Sequence, residues 1–325
     1  MTDPMEEAPP LRVGIVGAGG IAPPHITALL ALGVQVSILA RSGARALADR
    51  HGLALFDSLD DLIEHVDVID ILTPTTTHAE IALRAIARGR HVICEKPLAA
   101  DADEAAGLVR AAAEAGTRLF PAHVVRYFSD YAWAKQEIDA GRIGDLVEQN
   151  LLRRVAAPPS GWFFDEDAGG GLIRDLMIHD LDQAVWVAGP ATTVSATQDP
   201  PSGAGRVTPP VRAEVVLTHR NGVVSRVRAE WAEPGTPFRT RAEFVGTGGV
   251  LRIGNDDDSE DSAPLLHVPP ASDTDPYLAQ LADFVEALRE RRDARVSPAD
   301  GVAAVALVDA AYASLASGQP VSLAP

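Results

Sequence analysis

Lysine is nearly absent from this 325-residue chain: Lys96 and Lys135 are its only two, and Lys96 stands in the tripeptide Glu95-Lys96-Pro97. Pro97 disfavours helical geometry at the residue before it, so the turn stays extended and the ammonium can point into a crevice. A lysine held in a dry crevice can act as acid or base; a strand end that is only a turn would read the same. A second cluster follows the run Gly169-Gly170-Gly171. There Asp175 and His179 are four apart in a helical pattern, with Asp180 and Asp182 behind them. That spacing places Asp175 and His179 on one helix face, where the carboxylate would orient the imidazole and favour its protonated form. Such a pair can take a proton from a secondary alcohol as hydride leaves, and a surface ion pair would show the same spacing. No cysteine or second histidine lies at zinc-ligand spacing, so no metal is expected.

A third motif precedes both. Residues 12–22 read RVGIVGAGGIA, a β-branched run followed by Gly17-Ala18-Gly19-Gly20-Ile21-Ala22 and an apolar helical pattern. Strand, glycine turn and helix start are the parts that lay a dinucleotide pyrophosphate against a helix N-terminus. Gly17 permits the tight turn, Gly19 the approach of the cofactor, and Ala22 close helix–strand packing. At the end of the next strand, where an acid often holds the adenosine ribose, this chain has Ala40-Arg41-Ser42. Arg41 and Ser42 fit a 2′-phosphate, which an acid would repel, so the sequence favours NADP over NAD. Thr73-Pro74-Thr75-Thr76-Thr77-His78 follows a later strand, at the edge where such sheets bind ligands. Thr77 with Glu80 reads as a capping box, and His78 serves either helix-end packing or the ligand.

Elements must bring these motifs together. Strands are expected at Val34–Ala40, Leu53–Phe56, Val66–Leu72, His91–Cys94 and Leu119–His123, separated by helices at 20–33, 42–51, 60–65, 78–89 and 102–116. This alternation implies a parallel, doubly wound sheet. From about residue 144 strands follow one another: Leu146–Arg154, Thr192–Thr197, Val211–His219, Val223–Trp231, Thr240–Phe244 and Val250–Ile253. The Asn221-Gly222 pair is a hairpin turn, so a mostly antiparallel sheet is expected. Helices are expected at Leu172–Val187, Pro276–Arg291 and Pro298–Ala316. The acidic run Asn255–Asp261 lacks the glycine and spaced glutamate of a calcium loop and reads as solvated. The expected division is a tail at 1–10, a dinucleotide domain at 11–123, and a substrate and oligomerisation domain at 124–325.

Bulk properties exclude several classes. An apolar fraction of 46% with 22% charged residues is ordinary for a globular protein. The formal charge of −17 argues against nucleic acid or anionic membrane as partner. No apolar stretch approaches the roughly 20 residues of a membrane helix, and the acidic, proline-rich start lacks a secretory signal. The single cysteine, Cys94, fits a reducing compartment, so a cytoplasmic location is expected.

With these pieces in order, the chain resembles the glucose–fructose oxidoreductase and inositol dehydrogenase family over residues 10–322. The matching segments are GAGGIA, TPTTTH, HVICEKPLA (His91–Ala99) and GGGLIRDLMIHDLD (Gly169–Asp182). The resemblance implies a Rossmann domain followed by an α/β domain whose large open sheet packs between subunits, in a homodimer or homotetramer. It implies NAD or NADP as cofactor and a sugar or cyclic polyol as substrate. By the same resemblance Lys96 sits beside the nicotinamide and the reacting oxygen, His179 is the acid/base, and Asp175 its partner and an acceptor for substrate hydroxyls. Gly20, Ile21, Thr73, Pro74 and Glu95 fall with the cofactor contacts, and Arg126, Tyr127 and Trp162 in pocket-lining segments. Three other readings stay open: a glycosidase that retains its nucleotide, a dehydrogenase of dihydrodiols or keto compounds, and a non-enzymatic nucleotide sensor.

Overall fold

The computed structural model describes residues 10–159, 161–255 and 274–323. The first ten residues, all but the last, and most of Asn255–Asp261 lie outside the described residues.

β-Branched runs flanked by helical patterns build the first sheet. Its strands are β1 (Arg12–Val16), β2 (Gln35–Leu39), β3 (Ala54–Leu55), β4 (Val68–Ile71), β5 (His91–Glu95) and β6 (Leu119–Ala122), in the order β3-β2-β1-β4-β5-β6. All pairs are parallel. Helices α1 (Ala22–Ala31), α2 (Ala44–His51), α3 (Leu59–His65), α4 (His78–Ile86) and α5 (Ala102–Ala115) connect them. Strands covered on both faces must be apolar throughout, and Ile15, Ile38, Ile69 and Ile71 are fully buried. Asp70, in the middle of β4, breaks that rule and is equally buried.

Helix α6 (Ser129–Asp139) leads to the second sheet. Strands β7 (Leu146–Ala156), β8 (Ala191–Asp199), β9 (Val211–His219), β10 (Val224–Ala232), β11 (Arg239–Gly246), β12 (Gly249–Gly254) and β13 (Val321–Ser322) form it, in the order β12-β11-β7-β10-β9-β8-β13. Its central pair, β7 and β10, is parallel and the remaining pairs are antiparallel. Side chains alternate as the pleat demands. Val211, Ala213, Val215 and Leu217 of β9 face inward with Val227, Ala229 and Trp231 of β10. The opposite face carries cross-strand ion pairs, Arg226–Glu148, Arg228–Glu214 and Arg154–Glu230.

Helix α7 (Ile178–Ala188) and helix α9 (Pro298–Ser317) cover the inner face. α9 touches β8, α7, α5 and β6, so it joins the two sheets. It is 20 residues long and, by length and a mean hydropathy of 1.4, apolar enough to cross a membrane. The expectation that no stretch meets that test is thus corrected; here the helix packs between the two sheets. Helix α8 (Pro276–Glu290) returns to the first sheet, although it lies far along the chain. It packs on α1, with Phe284 stacked on Phe120 at 5.0 Å between ring centroids.

The expected helix Leu172–Val187 opens differently from its pattern. Residues Ile173–Met177 form a π-helical turn before α7 begins at Ile178. That wider turn decides where Asp175 points.

Candidate active site

The glycine turn takes the shape its sequence requires. Gly17 has φ +122°, and a Cβ there would lie 2.5 Å from the Leu72 carbonyl oxygen. At Gly19 and Gly20 an added Cβ would meet nothing, so open space stands before the α1 N-terminus. A cradle of bare backbone at a helix start fits an anionic pyrophosphate. Ile21 and Ala22 begin the helix; Pro23 and Pro24 follow, so the exposed amide donors come from the turn and not from the next residues. Gly43, in the left-handed region, lies alongside Ala18 of the glycine turn and directly follows Arg41 and Ser42 in the chain. Arg41 and Ser42 are exposed there, and Arg41 makes no ion pair among the described residues.

The threonine turn departs from its expected cap. Thr75–Thr77 form a 3₁₀ turn, and the Thr77 side chain caps no backbone N–H of α4. Its hydroxyl instead donates to the Pro74 carbonyl and accepts from the Thr73 hydroxyl, each at 2.8 Å, so the capping box with Glu80 does not form. His78 is buried, its ring nitrogens 2.8 Å from the Pro97 and Thr73 carbonyl oxygens. It ties the threonine turn to the turn that carries Lys96. Burial holds its pKa below the usual histidine range, although both carbonyls pull upward.

Lys96, on the turn after β5, donates to the Asp175 carbonyl oxygen at 2.7 Å and to Asp175 Oδ1 at 3.0 Å. The peptide bond from Lys96 to Pro97 is cis. Asp175 therefore pairs with Lys96 and not with His179: the π-helical turn breaks the i, i+4 ridge that an α-helix would have made. His179 Nδ1 is buried without a hydrogen-bond partner among the described residues. Burial, then the nearby charges of Lys96, Arg153 and His123, hold its pKa well below the usual histidine range. The expectation of a carboxylate-stabilised imidazolium is overturned, because a cation is its strongest charged neighbour.

The glycine run is a packing device. A Cβ at Gly169 would lie 2.4 Å from Phe163 Cα and from the Trp162 carbonyl oxygen, and Gly170 and Gly171 have positive φ. The run holds the turn Gly161–Phe164 close, with Trp162 half exposed and stacked on Phe163 at 4.0 Å. Arg126 and Tyr127 do not face an open pocket. Arg126 is 1% exposed, paired with Asp182 at 2.8 and 2.6 Å and with Asp300 at 3.1 Å. The Tyr127 hydroxyl donates to Asp283 at 2.7 Å, and Arg295 lies over its ring. Both are saturated by partners within the chain, the physical reason they depart from the pocket-lining expectation.

Several groups escaped the sequence reading. Arg153 on β7 makes a buried bidentate pair with Asp180 at 2.7 and 2.8 Å. His123 is fully buried with neither ring nitrogen bonded. Under the glycine turn, His25 sits between Asp70 and Glu95. The alternation Asp180, Asp182 beside His179 was a readable signal for the first; the other two carried none beyond a histidine on an apolar face. Among the described residues no group of three or more His, Cys, Asp or Glu side chains is arranged to hold a metal ion.

Residues 11–123 match the model of an oxidoreductase family with an NAD-binding Rossmann fold, and residues 131–252 match the GFO/IDH/MocA C-terminal domain. The chain is 30% identical to inositol 2-dehydrogenase 4 of Saccharopolyspora erythraea, over 96% of each chain. It is also 30% identical to 1,5-anhydro-D-fructose reductase of Ensifer adhaerens, over 96% of this chain and 98% of that one. Among solved structures it is similar to GenD2 from gentamicin A biosynthesis in complex with NAD, with a TM-score of 0.86 and 27% identity over 97% of each chain. The glycine cradle, the Lys96 turn and the two-sheet architecture agree with these matches: the chain belongs to the GFO/IDH/MocA family of NAD-binding oxidoreductases.

Proposed function

We propose that the protein is an NAD(P)-dependent dehydrogenase that oxidises a secondary carbinol of a sugar or cyclic polyol, with Lys96, Asp175 and His179 as the acting groups. The observation that carries this reading is the Lys96–Asp175 contact at 3.0 Å beside a neutral His179, at the joint between the two sheets. The inositol dehydrogenase and anhydrofructose reductase relatives support the substrate class.

Gly17, Gly19, Gly20, Ile21 and Ala22 would hold the pyrophosphate, and Thr73, Pro74 and the Lys96 turn would border the nicotinamide end, with His78 and Glu95 bracing that turn from below. Arg41 and Ser42 would take a 2′-phosphate, favouring NADP; the exposure of Arg41, with no ion pair among the described residues, supports this. When bound, the nicotinamide supplies the hydride acceptor. The chain supplies the rest. His179, neutral because its site is desolvated and flanked by cations, accepts the hydroxyl proton. Two of the three Lys96 ammonium donors are used on Asp175, which leaves one for the carbinol oxygen as it gains negative charge. Asp175 Oδ2 is left to accept from a neighbouring substrate hydroxyl. Trp162, half exposed nearby, offers an apolar face to a sugar ring.

The same reading assigns residues 11–123 to the cofactor and 124–325 to substrate and subunit contacts, with α8 returning to brace the first. A homodimer or homotetramer built on the open sheet face is part of it, supported by that face's ladder of paired charges. The buried Cys94 is in keeping with a cytoplasmic setting.

Replacing Lys96 with Met tests the reading. Turnover on an inositol or aldose panel should fall by roughly 10²–10³, while nucleotide binding persists in a fluorescence titration. Undiminished turnover would reduce Lys96 to packing and overturn the assignment.

A further inference from the structure

Beneath the glycine turn lies a buried charge cluster in which Glu95 meets two groups that no step above uses, His25 and Asp70. His25, on the second turn of α1, places Nδ1 2.8 Å from Asp70 Oδ2 on β4. Its Nε2 lies 3.3 Å from Glu95 Oε1 at the end of β5, in charge contact without hydrogen-bond alignment. The other Glu95 oxygen accepts the Lys96 main-chain N–H at 3.1 Å. His25 and Asp70 are 0% exposed and Glu95 8%, and Tyr277 of α8 packs its ring against the imidazole at 5.8 Å. A continuous path of contacts thus runs from the helix at the glycine cradle, through one imidazole, to the backbone of Lys96.

We propose that His25 is a positioning residue for Lys96: clamped between Asp70 and Glu95, it holds Glu95 in the conformation that accepts the Lys96 main-chain N–H, and so fixes where the Lys96 ammonium meets Asp175. This rests on the role given to Lys96 above. Two carboxylates face the ring across a site closed to water, and burial of unpaired carboxylates is costly. An imidazolium satisfies both, and a neutral ring can donate to only one. Although burial opposes the charge, Asp70 and Glu95 push the His25 pKa up to about 10. The groups facing the cluster are Lys96 and His78 from the neighbouring turns, His123 after β6, Cys94 on β5 and Tyr277 on α8; burial holds the His78 and His123 pKa values down, so Lys96 alone of these brings a positive charge. The consequence is mechanical. α1 and the Lys96 turn belong to different crossovers of the sheet, and this imidazole locks them in one register, so the pyrophosphate end and the reacting end of the crevice keep a fixed separation.

The scarcity of lysine makes a direct test available. Protein labelled with ¹⁵N-lysine gives two backbone amide signals, from Lys96 and Lys135, and Lys96→Met assigns them. His25→Asn keeps a donor at the Nδ1 position and removes the one facing Glu95, whereas His25→Gln reaches the Nε2 position. The expected result is an upfield shift of the Lys96 amide in His25→Asn and exchange with solvent faster by at least about tenfold, restored in His25→Gln, with Lys135 unmoved in both. In turnover on the panel above, kcat should fall by on the order of tenfold in His25→Asn and recover in His25→Gln, with the KM for nucleotide unchanged. An unmoved Lys96 signal, or equal losses in the two variants, overturns the proposal. Should His25→Asn fail to fold, ring ¹⁵N spectra of the wild-type protein decide: protons on both His25 nitrogens at pH 8 support it, and one proton overturns it. Activity retained in Lys96→Met sinks the reading of Lys96, while the amide signals still report on His25.

Discussion

A single charge decides what His179 can do. Had Asp175 lain against it, the imidazole would hold its proton at neutral pH and serve first as an acid. With Lys96 and Arg153 as its charged neighbours it is a base at rest, suited to taking a proton from an alcohol. Residue types were legible: Lys96, Asp175 and His179 stand out by scarcity and spacing. Their pairing was not legible, because i, i+4 geometry assumes an α-helix and Ile173–Met177 is a π turn. Arg41 belongs to the same scale. Exposed, and without an ion pair among the described residues, it is expected to contact a 2′-phosphate and nothing else, so Arg41→Ala should weaken NADP binding by roughly tenfold, about 1.4 kcal/mol, and leave NAD binding within twofold. Calorimetric titration with each nucleotide reads this directly; equal losses would remove Arg41 from the phosphate site.

At the scale of elements, α7 is a hub. His179 faces the Lys96 turn, Asp180 pairs with Arg153 of β7, and Asp182 pairs with Arg126 from the segment after β6. Arg126 also reaches Asp300 in the first turn of α9, so one guanidinium joins three elements. Removing one partner from a buried pair costs about 3–5 kcal/mol. Arg126→Met should therefore destabilise the fold by that order in urea unfolding, with KM for substrate unchanged in the folded fraction. A raised KM with native stability would instead return Arg126 to the pocket. Strand and helix order was readable because the first half alternates apolar runs with amphipathic ones. The parallel β7–β10 contact was not, since period-two patterning reports which face is buried and says nothing of which strand lies alongside. The return of α8 to α1 was hidden for a related reason: an apolar stripe does not name its partner.

Across the whole molecule, buried ionisable groups set a stability window. His78, His123 and His179 are held below the usual histidine pKa, burial being the main cause in each. Unfolding lets them take up protons near pH 6.5, so their contribution is present above that pH and is lost as pH falls. Glu95, held below its ordinary value by His25 in spite of burial, adds loss at more acidic pH. His25 has the opposite sign. Raised to about 10 from 6.5, it contributes fully below pH 6.5, and that contribution is lost as pH rises through about 10. Melting temperature should therefore peak near pH 6.5–7 and decline on both sides. His25→Gln should flatten the alkaline decline specifically. A wild-type melting temperature still rising at pH 9 would contradict the charge state assigned to His25.

Proton transfer through His179 is the claim on which the catalytic account stands. The measurement is a single turnover, with enzyme in excess over NADP and a substrate from the polyol panel, following reduced nucleotide in wild type and His179→Ala. The predicted result is a slowing of roughly 10²–10⁴ in the variant with nucleotide affinity preserved. Equal rates in the two proteins would show that His179 carries no proton in the reaction.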